Sequence, residues 1–152
     1  MTYEEYRDAK QKEINELPLF FAFSNEQLED HLKNRNATRA DIYKLGDTGG
    51  FYLKKDAPVI RAAFSKKSEL QELMKDHEFA VGAFLYEMNN HEYAINDYQG
   101  DWEVCCCFCE KECEFDDDKT YEEYLTEAGH SDWIPAYKEA MEKHYKLAES
   151  WF

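Results

Sequence analysis

Apolar residues recur at helical spacing along most of this chain, broken by a few short runs in which they crowd together or alternate. Thr2 stands three residues before Glu5, the arrangement of a capping box, and predicts a helix to about Asn15. Residues 17–23 are densely apolar but contain Pro18, which forbids helix continuation and predicts an extended connector buried in the core. Ser24 with Gln27 caps a second helix carrying Leu28 and Leu32 one turn apart. Thr38 and Asp41 predict a short helix that Gly46 ends in a left-handed conformation, and the loop 46–50 reads as a turn feeding a strand near 51–53. That loop lacks the lysine and spacing of a phosphate loop.

Asp56 and Pro58 open a further helix with Ile60, Ala63 and Phe64 on one face. Ser65-Lys-Lys-Ser68 interrupts this stripe, and Ser68 with Gln71 restarts it towards Leu70, Leu73 and Met74. Residues 79–88 are apolar nearly all round, as in a central buried helix, and Asn89 and Asn90 end it. Two runs, 92–96 and 102–109, separated by Tyr-Gln-Gly-Asp, predict a β-hairpin. Alternation on its second strand places Trp102, Val104, Cys106 and Phe108 towards the core and Glu103, Cys105, Cys107 and Cys109 on the opposite face. Thr120 opens a short helix ended by Gly129. Ser131 or Asp132 then caps a final helix with Ile134, Tyr137, Met141, Tyr145 and Ala148 on its buried stripe. The expected fold class is α+β: one acidic domain over residues 1–152, in which a small antiparallel sheet (hairpin 92–109 plus a short strand near 51–53) is covered by several helices.

Composition supports a core without staples. The 152 residues are 43% hydrophobic and 16% aromatic, enough to fill one domain. No apolar run approaches the roughly 20 residues of a membrane span, and residues 2–12 are polar rather than signal-like, so a cytoplasmic protein is expected. The odd number of cysteines, five within nine positions, argues for reduced thiols rather than a disulfide framework.

Those cysteines invite a zinc reading. Cys106 and Cys109 have zinc-knuckle spacing and Cys113 follows at four residues, with Cys105, Cys107, His91 or His77 as candidate fourth ligands. Against it, no second Cys-x-x-Cys pair is present. A regular strand also holds sulfurs two residues apart about 6–7 Å from one another, farther than ligands of one zinc ion. Small, soft packing residues on a half-buried sheet account for them better. No catalytic constellation is visible, and neither a metal nor another cofactor is required.

Charge changes the picture most. The net charge is −15, and within residues 97–127 twelve acidic residues (Asp97, Asp101, Glu103, Glu110, Glu112, Glu114, Asp116, Asp117, Asp118, Glu122, Glu123 and Glu127) face only Lys111 and Lys119. Such a surface repels nucleic acid and anionic membranes and attracts a basic protein. On an extended backbone, Glu110, Glu112 and Glu114 would project from one side about every 6.8 Å, close to two phosphate steps of about 3.4 Å along a DNA strand. A solvated loop that maintains solubility and a calcium loop are the competing readings, although the spacing and glycine of a calcium loop are missing.

Three segments carry a family resemblance: Glu13-Ile-Asn-Glu-Leu-Pro-Leu-Phe-Phe-Ala-Phe-Ser-Asn-Glu-Gln-Leu28, Leu45-Gly-Asp-Thr-Gly-Gly-Phe-Tyr52 and Tyr86-Glu-Met-Asn-Asn-His-Glu-Tyr93. Together they resemble small proteins of phages and mobile elements of gut Firmicutes, a group similar to type II anti-CRISPR inhibitors. The resemblance covers about the first 95 residues; the cysteine-rich and acidic stretches beyond depart from it. It implies a non-enzymatic inhibitor in the bacterial cytoplasm whose partner is a basic nucleic-acid-binding protein, a type II CRISPR effector nuclease. Such nucleases hold their heteroduplex in a positively charged channel. A zinc-binding accessory protein centred on Cys105 to Cys113 and a solvated acidic protein with another basic protein partner are the alternatives.

Overall fold

Helix α5, His77–Asn90, is the element around which the larger part of the fold is built. The computed structural model describes residues 1–64, 67–96, 99–110 and 113–151. Residue contacts divide the chain into two compact units, one of residues 1–9 and 67–152 and one of residues 10–66.

In the first unit the chain enters through α1, Tyr3–Asn15. The capping box forms as expected: Thr2 Oγ1 accepts from the Glu5 amide at 3.2 Å, and Glu5 Oε2 accepts from the Thr2 amide at 3.4 Å. α4, Lys67–Leu73, leads to Asp76, whose carboxylate caps α5 by accepting from the Phe79 amide at 3.0 Å. α5 is buried on several sides through Phe79, Ala80, Val81, Ala83, Phe84 and Met88, which explains its nearly uniform apolarity. Phe84 is fully buried and meets Phe108 and Tyr137 edge-on at centroid distances of 4.9 and 5.0 Å. Burial alone contributes roughly 1.5–3 kcal/mol for such a side chain. Beyond α5, Glu92 takes a left-handed backbone (φ 52°) and starts a 3-10 turn, Tyr93–Ile95.

The predicted hairpin over 92–109 is not formed. Residues 93–95 make that 3-10 turn, and Gly100–Cys106 is helix α6. Asp97 and Tyr98 lie outside the described residues. The run 102–109 satisfies two periods at once, and the helical one wins because Val104 and Cys105 on α6 and Phe108 in the turn just after it are then all buried. Cys105 is therefore a core residue, whereas Cys106 and Trp102, assigned to the core by alternation, are only half-buried. Gly100 allows the start of α6 to approach the Tyr93 ring, since a Cβ there would stand 2.8 Å from Tyr93 Cδ2.

The unit closes with α7, Tyr121–Glu127, capped by Thr120, and α8, Ile134–Ala148, entered through a 3-10 turn at Ser131–Trp133. Gly129 is left-handed (φ 82°), as its place after α7 predicts. α8 lies along α5. Its buried residues are Ala136, Tyr137, Ala140, His144 and Ala148, so the stripe is rotated from the expected one: Tyr145 is exposed and His144 takes its place inside.

The second unit carries the sheet. β1, Phe20–Phe21, β2, Ile42–Leu45, and β3, Gly50–Leu53, form an antiparallel sheet in the order β1-β3-β2. Phe20 pairs with Phe51 and Tyr43 with Tyr52. The α+β class stands, with the sheet drawn from residues 20–53 rather than from a hairpin at 92–109. Thr38 and Asp41 cap only a 3-10 turn, Arg39–Asp41, and the expected helix up to Gly46 is strand β2 instead. Ile42 and Leu45 flank an exposed Tyr-Lys pair, so four residues are too few to bury a helical stripe but suffice to pair with β3. Helix α2, Asn25–Asn34, is capped by Ser24 and lays Leu28 and Leu32 against Phe20 and Ala22. Helix α3, Ala57–Phe64, buries Ile60 and Ala63 but leaves Phe64 exposed. The basic interruption at Ser65 and Lys66 lies outside the described residues.

Candidate functional site

Glu87, His91 and Cys107 converge in the first unit. Helix geometry accounts for two of them: Glu87 and His91 are four residues apart, on one face at the C-terminal end of α5. Cys107 arrives as the C-cap residue immediately after α6. The three donor atoms close a triangle, with Glu87 Oε2 3.4 Å from His91 Nε2, Cys107 Sγ 3.6 Å from the same oxygen and 3.7 Å from the same nitrogen.

Each member of the triangle is held from outside it. Glu87 is buried, and its Oε1 accepts from the Tyr3 hydroxyl at 2.9 Å and from the Arg7 guanidinium at 2.8 Å. His91 turns its other nitrogen, Nδ1, towards Glu103 Oε2 at 3.4 Å, and Glu103 is fixed in turn by Asn96 Nδ2 at 2.9 Å. Cys107 belongs to a surface-exposed residue, yet its sulfur stands among these groups, and its thiol is pushed up to about 12, first by desolvation and then by the Glu87 carboxylate. That shift keeps the thiol protonated near neutral pH, so the cluster on its own is no ready nucleophile.

The other cysteines are arranged differently. Cys105 is fully buried and its thiol is raised above the usual range by desolvation; Cys109 is pushed up to about 12, by desolvation first and then by Cys113. Among the described residues, Cys106, Cys109 and Cys113 do not form a three-ligand group. The zinc-knuckle spacing thus brings no site together at 106, 109 and 113. The residue that does join one, Cys107, meets partners some 16 and 20 positions away in sequence. Glu87 and His91 stand four residues apart in the sequence, but the expected helix ends at Asn89 and Asn90 and leaves His91 beyond it, so their shared face is not legible there. The strand reading of 102–109 hid the rest of the site, since it pointed Cys107 away from any partner.

The acidic segment divides into two groups. Asp101 and Glu103 are committed to the fold. Asp101 Oδ1 accepts from the Tyr137 and Tyr93 hydroxyls, its Oδ2 accepts from the Tyr121 amide, and Glu103 holds Asn96 and faces His91. Glu110, Glu114, Asp117, Asp118, Glu122, Glu123 and Glu127 are exposed, while Asp116 is half-buried. Asp97 and Glu112 lie outside the described residues. Glu127 pairs with Lys119 at 2.8 Å.

The backbone that presents these carboxylates is tied down. Trp102 Nε1 donates to the Cys113 carbonyl at 2.7 Å, and the Tyr124 hydroxyl donates to the Asp116 carbonyl at 2.7 Å. Asp116 Oδ1 accepts from the Asp118 amide at 3.0 Å, an Asx turn. Thr120 Oγ1 accepts from the Glu123 amide at 3.5 Å, placing Glu122 and Glu123 in the first turn of α7, where the helix dipole favours them. Carboxylate oxygens of Asp116, Asp117 and Asp118 come within 4.8 Å of one another.

The match to known sequences covers the first of these regions except Cys107, and not the second: a family of unknown function, DUF7659, matches residues 2–106. The chain belongs to that family. No curated protein and no solved structure matches it significantly. The DUF7659 match takes in Glu87, His91 and Glu103, ends one residue before Cys107, and leaves residues 110–127 outside. No described helix is long and apolar enough to cross a membrane.

Proposed function

We propose that this protein acts by binding and not by catalysis, as an anti-defence inhibitor that occupies a basic nucleic-acid-binding surface. Its partner in this reading is a type II RNA-guided nuclease, and it works in the bacterial cytoplasm by blocking access of DNA. The observation that carries the proposal is the exposed carboxylate set Glu110, Glu114, Asp117, Asp118, Glu122 and Glu123 on a backbone anchored by Trp102 and Tyr124. Carboxylates already held by the fold meet lysines and arginines without the ordering cost that a floppy acidic tail would bear. The resemblance of residues 13–28, 45–52 and 86–93 to small phage and mobile-element proteins, a group similar to type II anti-CRISPR inhibitors, supports the partner class, and the arginines and basic channel of such nucleases give the complementary surface.

The test is a pull-down and a DNA-cleavage assay with a type II nuclease, with and without guide RNA, over a salt series. Binding weakens steeply with salt, because the attraction between the two faces is screened. Replacing Glu110, Glu114, Asp117 and Asp118 together by lysine abolishes both binding and inhibition. Unchanged affinity in that variant would overturn the proposal.

A further inference from the structure

We propose that Glu87, His91 and Cys107 form a zinc site with three protein ligands and an open fourth position. The geometry can be checked against the ion. Zinc bonds sulfur at about 2.3 Å and nitrogen or oxygen at about 2.0–2.2 Å; at tetrahedral angles the ligand atoms are then separated by about 3.4 Å for N···O and about 3.6 Å for S···N and S···O. The separations here are 3.4 Å between His91 Nε2 and Glu87 Oε2, 3.7 Å between Cys107 Sγ and His91 Nε2, and 3.6 Å between Cys107 Sγ and Glu87 Oε2. These separations match those of three ligands on one zinc ion.

The surroundings fit as well. A metal-bound histidine characteristically donates its remaining N–H to a carboxylate, which fixes its tautomer and orientation. His91 faces the triangle with Nε2 and Glu103 with Nδ1, and Glu103 is itself held by Asn96. The Glu87 carboxylate is divided in the same manner: Oε1 is taken by Tyr3 and Arg7, and Oε2 is turned to the other two ligands, with Asn90 Nδ2 donating to it at 3.5 Å. A cysteine, a histidine and a carboxylate suit zinc better than magnesium or calcium, which prefer all-oxygen shells. On binding, the Cys107 sulfur bonds as thiolate and its proton leaves to solvent. Cys107 is exposed, so water or a donor atom from another molecule can approach the site and complete the tetrahedron.

This inference is independent of the proposed inhibition, because its readout is metal content. Untagged protein, stripped with chelator and titrated with zinc, takes up one equivalent per chain. Cobalt in its place gives a thiolate-to-cobalt charge-transfer band and tetrahedral d–d absorption. Cys107→Ser removes the charge-transfer band, His91→Ala abolishes stoichiometric uptake, and Glu103→Gln weakens affinity roughly 10–100-fold as loss of an orienting partner does. The double variant Cys106→Ser/Cys109→Ser keeps full uptake. Circular dichroism confirms that each variant is folded, and the exposed Cys107→Ser provides the test should a buried substitution unfold the chain. No zinc uptake by the parent protein, or uptake and a cobalt spectrum unchanged in Cys107→Ser, would overturn the site; uptake lost in Cys106→Ser/Cys109→Ser would move it to the other cysteines and overturn it too.

Discussion

Asp101 Oδ1 accepts a hydrogen bond from the Tyr137 hydroxyl at 2.9 Å, and the Tyr93 hydroxyl donates to the same oxygen. Burial raises both tyrosines above the ordinary tyrosine range, with the carboxylate adding to it, so both remain donors at every working pH. One residue of the acidic run is therefore a clasp joining α6, α8, the turn after α5 and, through the Tyr121 amide, the start of α7.

Asp101→Ala takes the carboxylate from two buried hydroxyls, leaving Tyr93 the weaker acceptor Met141 Sδ at 3.3 Å, and is expected to cost roughly 2–4 kcal/mol, read as a lower denaturant midpoint. Asp101→Asn keeps an acceptor for the tyrosines but sets an amide near the Tyr121 N–H, and costs less. A parent-like midpoint for the alanine variant would refute the clasp.

His144 supplies a pH dependence. Its Nε2 accepts from the Ala94 amide at 2.9 Å, so Nδ1 carries the hydrogen and donates to Asn89 Oδ1 at 2.7 Å. Both nitrogens are used by the neutral ring, and desolvation holds its pKa below the ordinary 6.5. Tyr93, Tyr145 and Trp151 also face it, and none is a carboxylate. A lowered histidine pKa means that below about pH 6.5 the unfolded chain takes up a proton that the native one refuses. Stability from this group is thus complete above that pH and lost as acid is added. Urea denaturation at pH 7.5 and 5.5 should show a smaller acid loss in His144→Asn than in the parent, even though the variant is weaker at pH 7.5.

Gly46 and Gly49 flank the β2–β3 turn with φ of 53° and 80°. A side chain at Gly46 meets open space, whereas a Cβ at Gly49 would stand 2.5 Å from the Phe23 ring. Phe23 is largely exposed and can swing away, so the backbone angle sets most of the penalty. Gly46→Asn is expected to be near neutral, since asparagine tolerates this region, and Gly49→Ala to cost about 1–2 kcal/mol in thermal or denaturant unfolding. Equal effects at the two positions would contradict this.

The exposed carboxylates separate by their helical position. Asp117→Lys and Asp118→Lys should change stability by no more than about 0.5 kcal/mol. Glu122→Lys and Glu123→Lys, in the first turn of α7, should each cost about 0.3–1 kcal/mol, and the cost should shrink in high salt. The first pair therefore reads partner binding without a folding contribution.

Local chemistry settled much of this protein before any long-range contact was considered. The Thr2, Ser24 and Thr120 caps, the left-handed Gly46 and Gly129, and the nearly all-apolar 79–88 helix depend on residues within one turn of each other. Tertiary structure decided residues 92–109, where strand and helix periods were both satisfied and the joint burial of Val104, Cys105 and Phe108 selected the helix. It decided as well which carboxylates serve the fold and which face water, because Asp101 finds its tyrosines up to 36 positions away. The same choice carried Cys107 to Glu87 and His91. A strand would have alternated the cysteines across a sheet; the helix turned one of them into a constellation that sequence spacing alone does not encode.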